Sequence, residues 1–478
     1  MSPRFCALLL MIACTAPAAI DDAAAATATS ASLTDCKVER IDRVLRCGTL
    51  DVPEDRAHPE RRHLQLRIVV LPAREKPSQP DPIVVFGGGP GEAATASIAD
   101  SVEEFPELSH HRDVLFLDQR GTGGSNALNC GLYEPADPGA VLRELFPVAS
   151  LTACATKLAE KADLTRYSYL DFADDLEAVR RALGYGPLNL FAISYGTRAA
   201  QVYARRYPRS VRTMYMGSIV PIDIATPAPF ARAVQEVIDK TLNDCSADTA
   251  CQRAYPSIRD EFKRDLAALD AGEARIELPG GATTVMPRGR FVELLRSMLY
   301  KPEGAAAVPW IIHEAALGHW SAIGENVIER SKAIGDDMSF GLFFSITCNE
   351  DVAFLDEKRI RETSHDTYLG DFRVRRQQAI CAHWPRYPLP AGYRNPIRTA
   401  IPTLIVSGDL DPATPLSFTE HTVPGFTHRH EIVLHGQGHA GWSECVKRVY
   451  TKLVESGRAD DLGETCGEPL PRPAFKLE

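Results

Sequence analysis

No stretch of this chain carries an apolar run near the roughly 20 residues that a membrane-spanning helix needs, so no membrane span is expected. Long basic runs are missing too, and with a net charge of −10 over 478 residues nucleic acid is not an expected partner. No two cysteines stand as C-x-x-C, and His428 and His430 form only a pair. That pattern supplies no zinc ligand set, and neither a metal nor a cofactor is expected. The glycines at 87–91 lack the Gly-Lys-Ser/Thr ending of a phosphate-binding loop. What remains is a soluble chain, 45% hydrophobic, long enough for one large domain with an insertion or for two. A monomer is the default expectation.

The first residues read as an export signal. Arg4 gives a minimal positive start, residues 5–13 form a short apolar core, and the alanines from Ala16 to Ala19 offer small-residue cleavage sites. Met11-Ile12-Ala13-Cys14 loosely resembles a bacterial lipoprotein cleavage box, so a lipid anchor on Cys14 is a second processing route. The Ala/Thr/Ser-rich segment to about Ser32 then reads as a flexible linker. Setting aside Cys6 and Cys14 leaves an even set in sequence-close couples. The simplest pairing is Cys36 with Cys47, Cys130 with Cys154, Cys245 with Cys251, Cys348 with Cys381 and Cys445 with Cys466. Such a set belongs in an oxidising compartment, periplasmic or extracellular.

Strands and helices alternate over the first half. Residues 64–71 read as a strand at the sheet edge, and residues 82–86 and 114–117 as wholly apolar strands buried on both faces. Residues 171–183 show helical spacing, with Phe172, Leu176, Val179 and Leu183 on one face. Another strand is expected over 213–220. The alternation then breaks, and residues 230–242, 258–269, 290–299 and 308–317 read as helices separated by Pro and Gly. It resumes with strands at 403–408 and 430–434 and a closing helix over 442–453. The predicted architecture is a mostly parallel, doubly wound α/β sheet with an inserted, mainly helical cap. Its boundaries are a leader and linker at 1–32, core at 33–220, cap at 221–398 and core again at 399–478.

Between an apolar run ending at Leu190 and a helix-like stretch from Arg198 lies Phe191-Ala192-Ile193-Ser194-Tyr195-Gly196-Thr197. A serine flanked by small residues at a strand-to-helix turn is a nucleophile elbow. Taken alone, the same residues equally describe a buried serine capping a helix. A serine nucleophile needs a base and an acid, which a doubly wound sheet places in loops at the carboxyl ends of later strands. Asp409 and Asp411 follow one such strand, and His435 and His439 the next. Asp411 has the longer reach and His439 the roomier glycine loop; Asp409 and His435 are the alternatives. The order Ser, Asp, His is that of α/β-hydrolases. Developing oxyanion charge calls for amide donors. The amide of Tyr195 is one candidate, and Gly89 is preferred over Gly88 for the other. Asp118 and Arg120 read as a structural clamp across a glycine turn.

Together these motifs resemble the α/β-hydrolase family of proline iminopeptidases, and more closely its secreted branch similar to tripeptidyl aminopeptidases. Gly88-Gly89-Pro90-Gly91 is similar to the family's oxyanion loop, and Asp118 to Ser125 to its D-Q-R-G-x-G-x-S segment. Ser194-Tyr195-Gly196-Thr197, Gly408 to Pro415 and Gly438-His439 resemble its nucleophile, acid and histidine loops, placing the acid at Asp411. Cys47 to Asp55 is similar to the branch's opening segment. Two departures stand out: Ala192 replaces the first elbow glycine, and the cap does not align with that of the iminopeptidases. Ser345 to Asp351 resembles a cap segment ending in an acid, which makes Glu350 the candidate anchor for a substrate amine. The alternative for Glu350 is a solvated or ion-paired surface acid.

The resemblance implies an exported serine aminopeptidase. It would hydrolyse peptides near free N-termini with Ser194 as nucleophile, His439 as base, Asp411 as orienting acid, and Gly89 and Tyr195 binding the oxyanion. An esterase or lipase of the same fold is the alternative within enzymes, since the machinery is shared. A non-catalytic binding protein on a hydrolase scaffold is the alternative outside them.

Overall fold

The computed structural model describes residues 31–104, 107–278 and 280–478. The segment expected to be an export signal, with Cys6 and Cys14, lies outside the described residues.

The first seven strands in chain order are β1 (Ser32–Cys36), β2 (Leu45–Pro53), β3 (His63–Leu71), β4 (Ile83–Val85), β5 (Val114–Leu117), β6 (Leu188–Ile193) and β7 (Val211–Gly217). A two-stranded hairpin of β8 (Arg275–Glu277) and β9 (Thr283–Val285) follows, and then β10 (Thr403–Gly408) and β11 (Arg429–Leu434). All but the hairpin join one sheet in the order β1-β2-β3-β5-β4-β6-β7-β10-β11. Strands from β5 to β11 in that order run parallel, and β1, β2 and β3 add antiparallel at one end.

Residues 64–71 are therefore not an edge strand. β3 lies between β2 and β5, and the edge belongs to β1. β1 is short, polar and exposed, and β2 buries Leu45, Cys47, Leu50 and Val52 with Gly48 interrupting the alternation. Neither shows an unbroken period of two.

The central strands are apolar throughout because both faces are covered. Val84, Leu115, Leu190 and Met214 point to one side. Val85, Phe116, Phe191 and Tyr215 point to the other, where Val446, Val449, Tyr450 and Leu453 of helix Glu444–Ser456 cover them. Phe191 stacks on Tyr215 with ring centroids 4.5 Å apart. Truncating such a ring to Ala costs about 3–5 kcal/mol.

Between β7 and β10 the chain is helical apart from the β8–β9 hairpin. Expected helices appear as Phe230–Ala247, Ile258–Asp270, Arg288–Met298 and Pro302–Ala316. Trp320–Asp337, Phe340–Glu350, Glu357–Ser364 and Phe372–Cys381 add to them. Residues from the first half of the chain also join this layer. Phe146 packs its ring against Phe340, Phe343 and Phe344, and Arg376 pairs with Glu144 at 3.1 Å.

Among the described residues five disulfides are formed: Cys36–Cys47, Cys130–Cys154, Cys245–Cys251, Cys348–Cys381 and Cys445–Cys466. They join cysteines 6 to 33 residues apart, and Cys348–Cys381 ties helix Phe340–Glu350 to helix Phe372–Cys381. Among the described residues no helix is long and apolar enough to cross a membrane.

Asp118 and Arg120 do not clamp each other. Asp118 accepts from the Thr95 amide and hydroxyl and from the Gly124 amide, at 2.9–3.0 Å. Arg120, fully buried, forks onto Asp175 at 2.6 and 2.7 Å and donates to the carbonyls of Glu54 and Arg166. Asp118 follows β5 directly whereas Arg120 already lies in the turn after it, so their side chains meet different elements.

Candidate active site

β6 ends at Ile193, and helix Tyr195–Arg206 begins one residue after it. The chain reverses at Ser194 with φ 56° and ψ −134°, outside the regions that non-glycine residues favour. The Ser194 amide donates to Gly217 O at 3.0 Å, and its carbonyl accepts from the Thr197 amide and hydroxyl. Its hydroxyl makes no capping bond, although serine stands at the N-cap. Thr197 closes the turn through its amide and hydroxyl, and the Ser194 side chain is left half-buried on a pocket wall. Ala192, in the place of the first elbow glycine, is fully buried without disturbing β6.

The acid and histidine loops are held by one another. Leu410 N donates to Gln437 O at 2.9 Å and Asp409 N to Leu434 O at 3.2 Å. A Cβ on Gly438 would stand 2.6 Å from Tyr300 O, so only glycine lets this loop pass. The next amide, His439 N, donates to that same carbonyl at 2.9 Å, and the His439 ring lies 4.7 Å from the Tyr300 ring.

Asp411 is 2% exposed and faces His439 Nδ1 across 2.8 Å. Its Oδ1 accepts from the amides of Ala413 and Thr414, both at 2.8 Å. Its Oδ2 accepts from the hydroxyls of Thr414 at 2.6 Å and Ser218 at 2.9 Å. Burial alone would raise this carboxyl, but the His439 imidazole and the Thr414 bonds outweigh it and hold Asp411 below the usual carboxylate range. Asp409 instead accepts from Gly436 N at 2.8 Å and faces the exposed His435 at 3.1 Å. That pair is a loop brace.

Ser218 gave no signal in the sequence. It follows β7 with φ 52°, donates to Asp411 and accepts from Ala440 N at 2.8 Å, so one hydroxyl links both loops. Ala440 also holds a positive φ, 59°. Three strained non-glycine residues, Ser194, Ser218 and Ala440, thus gather where the loops meet. A strand-end serine has no sequence pattern that separates it from any other.

One pocket is lined by Gly89, Ser194, Tyr195, Tyr300 and Thr414, among others. Both Tyr300 and Thr414 touch His439, Thr414 Oγ1 lying 3.3 Å from its Nδ1. Gly89 holds φ 101°, which a residue with a Cβ rarely adopts. The Gly88 amide is already engaged by Glu92 Oε2 at 3.1 Å. No group of three or more His, Cys, Asp or Glu suited to a metal occurs among the described residues.

Glu350 does not reach this pocket. At 1% exposure it accepts from the Tyr387 hydroxyl at 3.1 Å, the Tyr393 hydroxyl and the Tyr169 amide. It is neither a surface acid nor open to a substrate. Burial pushes its carboxyl up to about 7. Every residue of helix Phe340–Glu350 is buried, which turns the terminal acid inward with the rest. Its neighbour Asp351 pairs with Arg198 of the nucleophile helix at 2.9 Å and accepts from the Tyr195 hydroxyl at 3.2 Å.

Comparison with known proteins agrees with this architecture. Residues 81–268 match the family described as alpha/beta hydrolase fold, and residues 366–466 the family described as TAP-like protein. Ser194 falls in the first match, and Asp411 and His439 in the second. Serine protease Hip1 of Mycobacterium tuberculosis is 26% identical, over 88% of this chain and 87% of that protein. Tripeptidyl aminopeptidase of Streptomyces lividans is 27% identical, over 58% of this chain and 50% of that protein. Among solved structures, proline iminopeptidase of Mycobacterium smegmatis is 15% identical, over 86% of this chain and 97% of that one, with a TM-score of 0.42. The parallel sheet and the elbow between β6 and its helix give this chain the α/β-hydrolase fold, with residues 81–268 similar to that family and residues 366–466 to the TAP-like one.

Proposed function

We propose that this protein is an exported serine exopeptidase that cleaves peptides near their free N-termini through an acyl-enzyme. The observation that carries the reading is the buried Asp411–His439 pair, 2.8 Å apart, beside the pocket into which the elbow presents Ser194.

In this mechanism Ser194 Oγ attacks the scissile carbonyl carbon as His439 takes the hydroxyl proton. Asp411 accepts from Nδ1–H and so fixes the tautomer that leaves Nε2 free as the base. The imidazolium then gives the proton to the leaving amine, and water, deprotonated by the same imidazole, releases the acyl group. The oxyanion is held by the amides of Tyr195 and Gly89. Gly89 is preferred to Gly88 because the latter's amide is occupied by Glu92. A donor of this kind is worth about 10²–10³ in rate.

Peptides, rather than esters, are proposed as substrates because the relatives are named serine protease and tripeptidyl aminopeptidase. Export is supported by the five disulfides. The test compares release of a chromogenic amine from free and N-acetylated mono-, di- and tripeptides, with short acyl esters alongside. Faster cleavage of the free peptides, abolished in Ser194→Ala, is the expected result. Equal rates on blocked and free peptides, or activity confined to esters, would refute the exopeptidase reading.

A further inference from the structure

The pocket that holds Ser194 has a second wall, built by the helical layer. Arg296, Arg373 and Gln377 line it, with the rings of Phe230 and Phe343 beside them. Arg296 and Arg373 are 7% and 8% exposed and Gln377 is 1%. Buried arginines normally find a carboxylate each. Here Arg296 Nε and Arg373 Nη1 share one oxygen of a single acid, Glu293 Oε2, both at 3.0 Å. Arg290 stands near the same acid but spends its guanidinium on Val141 O and the Ser331 hydroxyl. Nearby Asp351 offers no further negative charge, being paired with Arg198. The wall therefore carries more positive than negative charge.

Several polar atoms there are also unspent. Arg373 Nε, a donor, and the acceptor oxygens Gln377 Oε1 and Glu293 Oε1 are buried without a hydrogen-bond partner among the described residues. Leaving such groups unpaired is unfavourable, more so where charge is involved. Both guanidinium groups lie over the Phe230 ring, at 4.8 and 5.0 Å from its centroid, which holds their planes in place. A preorganised, desolvated guanidinium pair that shares one carboxylate oxygen and keeps a donor unpaired suits one ligand chemistry above others, a carboxylate. The aromatic neighbours suit the methylenes that carry it.

We infer that this wall is a carboxylate-binding subsite that selects substrates with an acidic side chain on the residue whose acyl group passes to Ser194. The inference rests on the proposed role of Ser194. Glu293 is the built-in counter-charge that keeps the empty wall folded, and the incoming carboxylate meets the donors Glu293 leaves unused.

The test is a series of free peptidyl anilides with Glu, Asp, Gln, Leu or Lys at the acyl position, run on the intact protein. Glu is expected to exceed Gln in kcat/KM by about tenfold or more, the scale of one charged hydrogen bond in a buried site. Arg373→Met should erase that ratio, and Arg373→Lys should restore part of it. A fold-independent arm follows the rate at which a fluorophosphonate labels the wild-type serine. Glutarate should slow labelling and the neutral glutaramide should not. That protection would support the subsite even if no anilide were cleaved, an outcome that would count against the exopeptidase reading alone. Normal labelling with Gln equal to Glu, or Lys preferred, and no protection by glutarate, would overturn the subsite.

Discussion

Two buried carboxylates stand close to the same pocket and are treated in opposite ways. Asp411, in the loops after β10 and β11, has both oxygens filled by two amides, two hydroxyls and an imidazole. Glu293, in the helical layer, holds two arginines through one oxygen and leaves the other without a partner. A complete shell fixes one geometry, whereas two arginines sharing a single carboxylate oxygen keep donor capacity for a second carboxylate. The loop region thus reads as reaction machinery and the helical wall as the part that chooses what enters.

The largest effect is expected at the elbow. Ser194→Ala should lower kcat by about 10⁴-fold or more with an unchanged thermal midpoint, since the hydroxyl makes no capping bond to lose. Next, Asp411→Asn should lower kcat by about 10⁴-fold with little change in KM, because Asn stabilises the wrong tautomer of His439. Circular dichroism and a full kinetic profile check both.

How much of this was readable beforehand depended on the range of the interactions involved. Ser194, Asp411 and His439 each follow a buried strand and stand beside small residues, so local pattern and chain order point to them. Ser218 does not announce itself, because its value comes from touching Asp411 and Ala440, 193 and 222 residues away. Glu350 is hidden for the same reason: the tyrosines that enclose it come from two other segments, one holding Tyr169 and the other Tyr387 and Tyr393. The inner position of β3 was hidden by the weak alternation of β1 and β2. Sequence-close cysteine couples, by contrast, are the pairs the folded chain forms.

A smaller effect is expected from Ser218→Ala. Losing one of the hydroxyls on Asp411 and the acceptor for Ala440 N should reduce kcat about tenfold while KM stays near wild type. Ser218→Thr should recover part of the loss, which a merely disruptive change would not.

The smallest effect on activity, and a distinct one on stability, is expected at Glu350. Its folded value of about 7 lies above the ordinary 4.5, so the folded state keeps a proton that the unfolded chain releases. Stability from this group is therefore full below 4.5, falls as pH rises to about 7, and levels off beyond. Glu350→Gln should flatten that fall in denaturant titrations while kcat changes less than about threefold. Asp411 has the opposite sign. Its stabilisation is present above its ordinary 3.8 and is lost as pH falls through its lowered folded value.

The central claim is that the elbow serine is a nucleophile whose base is the histidine held by Asp411. Mass spectrometry after treatment with a fluorophosphonate tests it most directly. The account predicts a single adduct, mapped to Ser194, formed at a rate that drops by orders of magnitude in Asp411→Asn and His439→Ala. An adduct on another serine, or labelling of Ser194 that is unaffected by both substitutions, would contradict it.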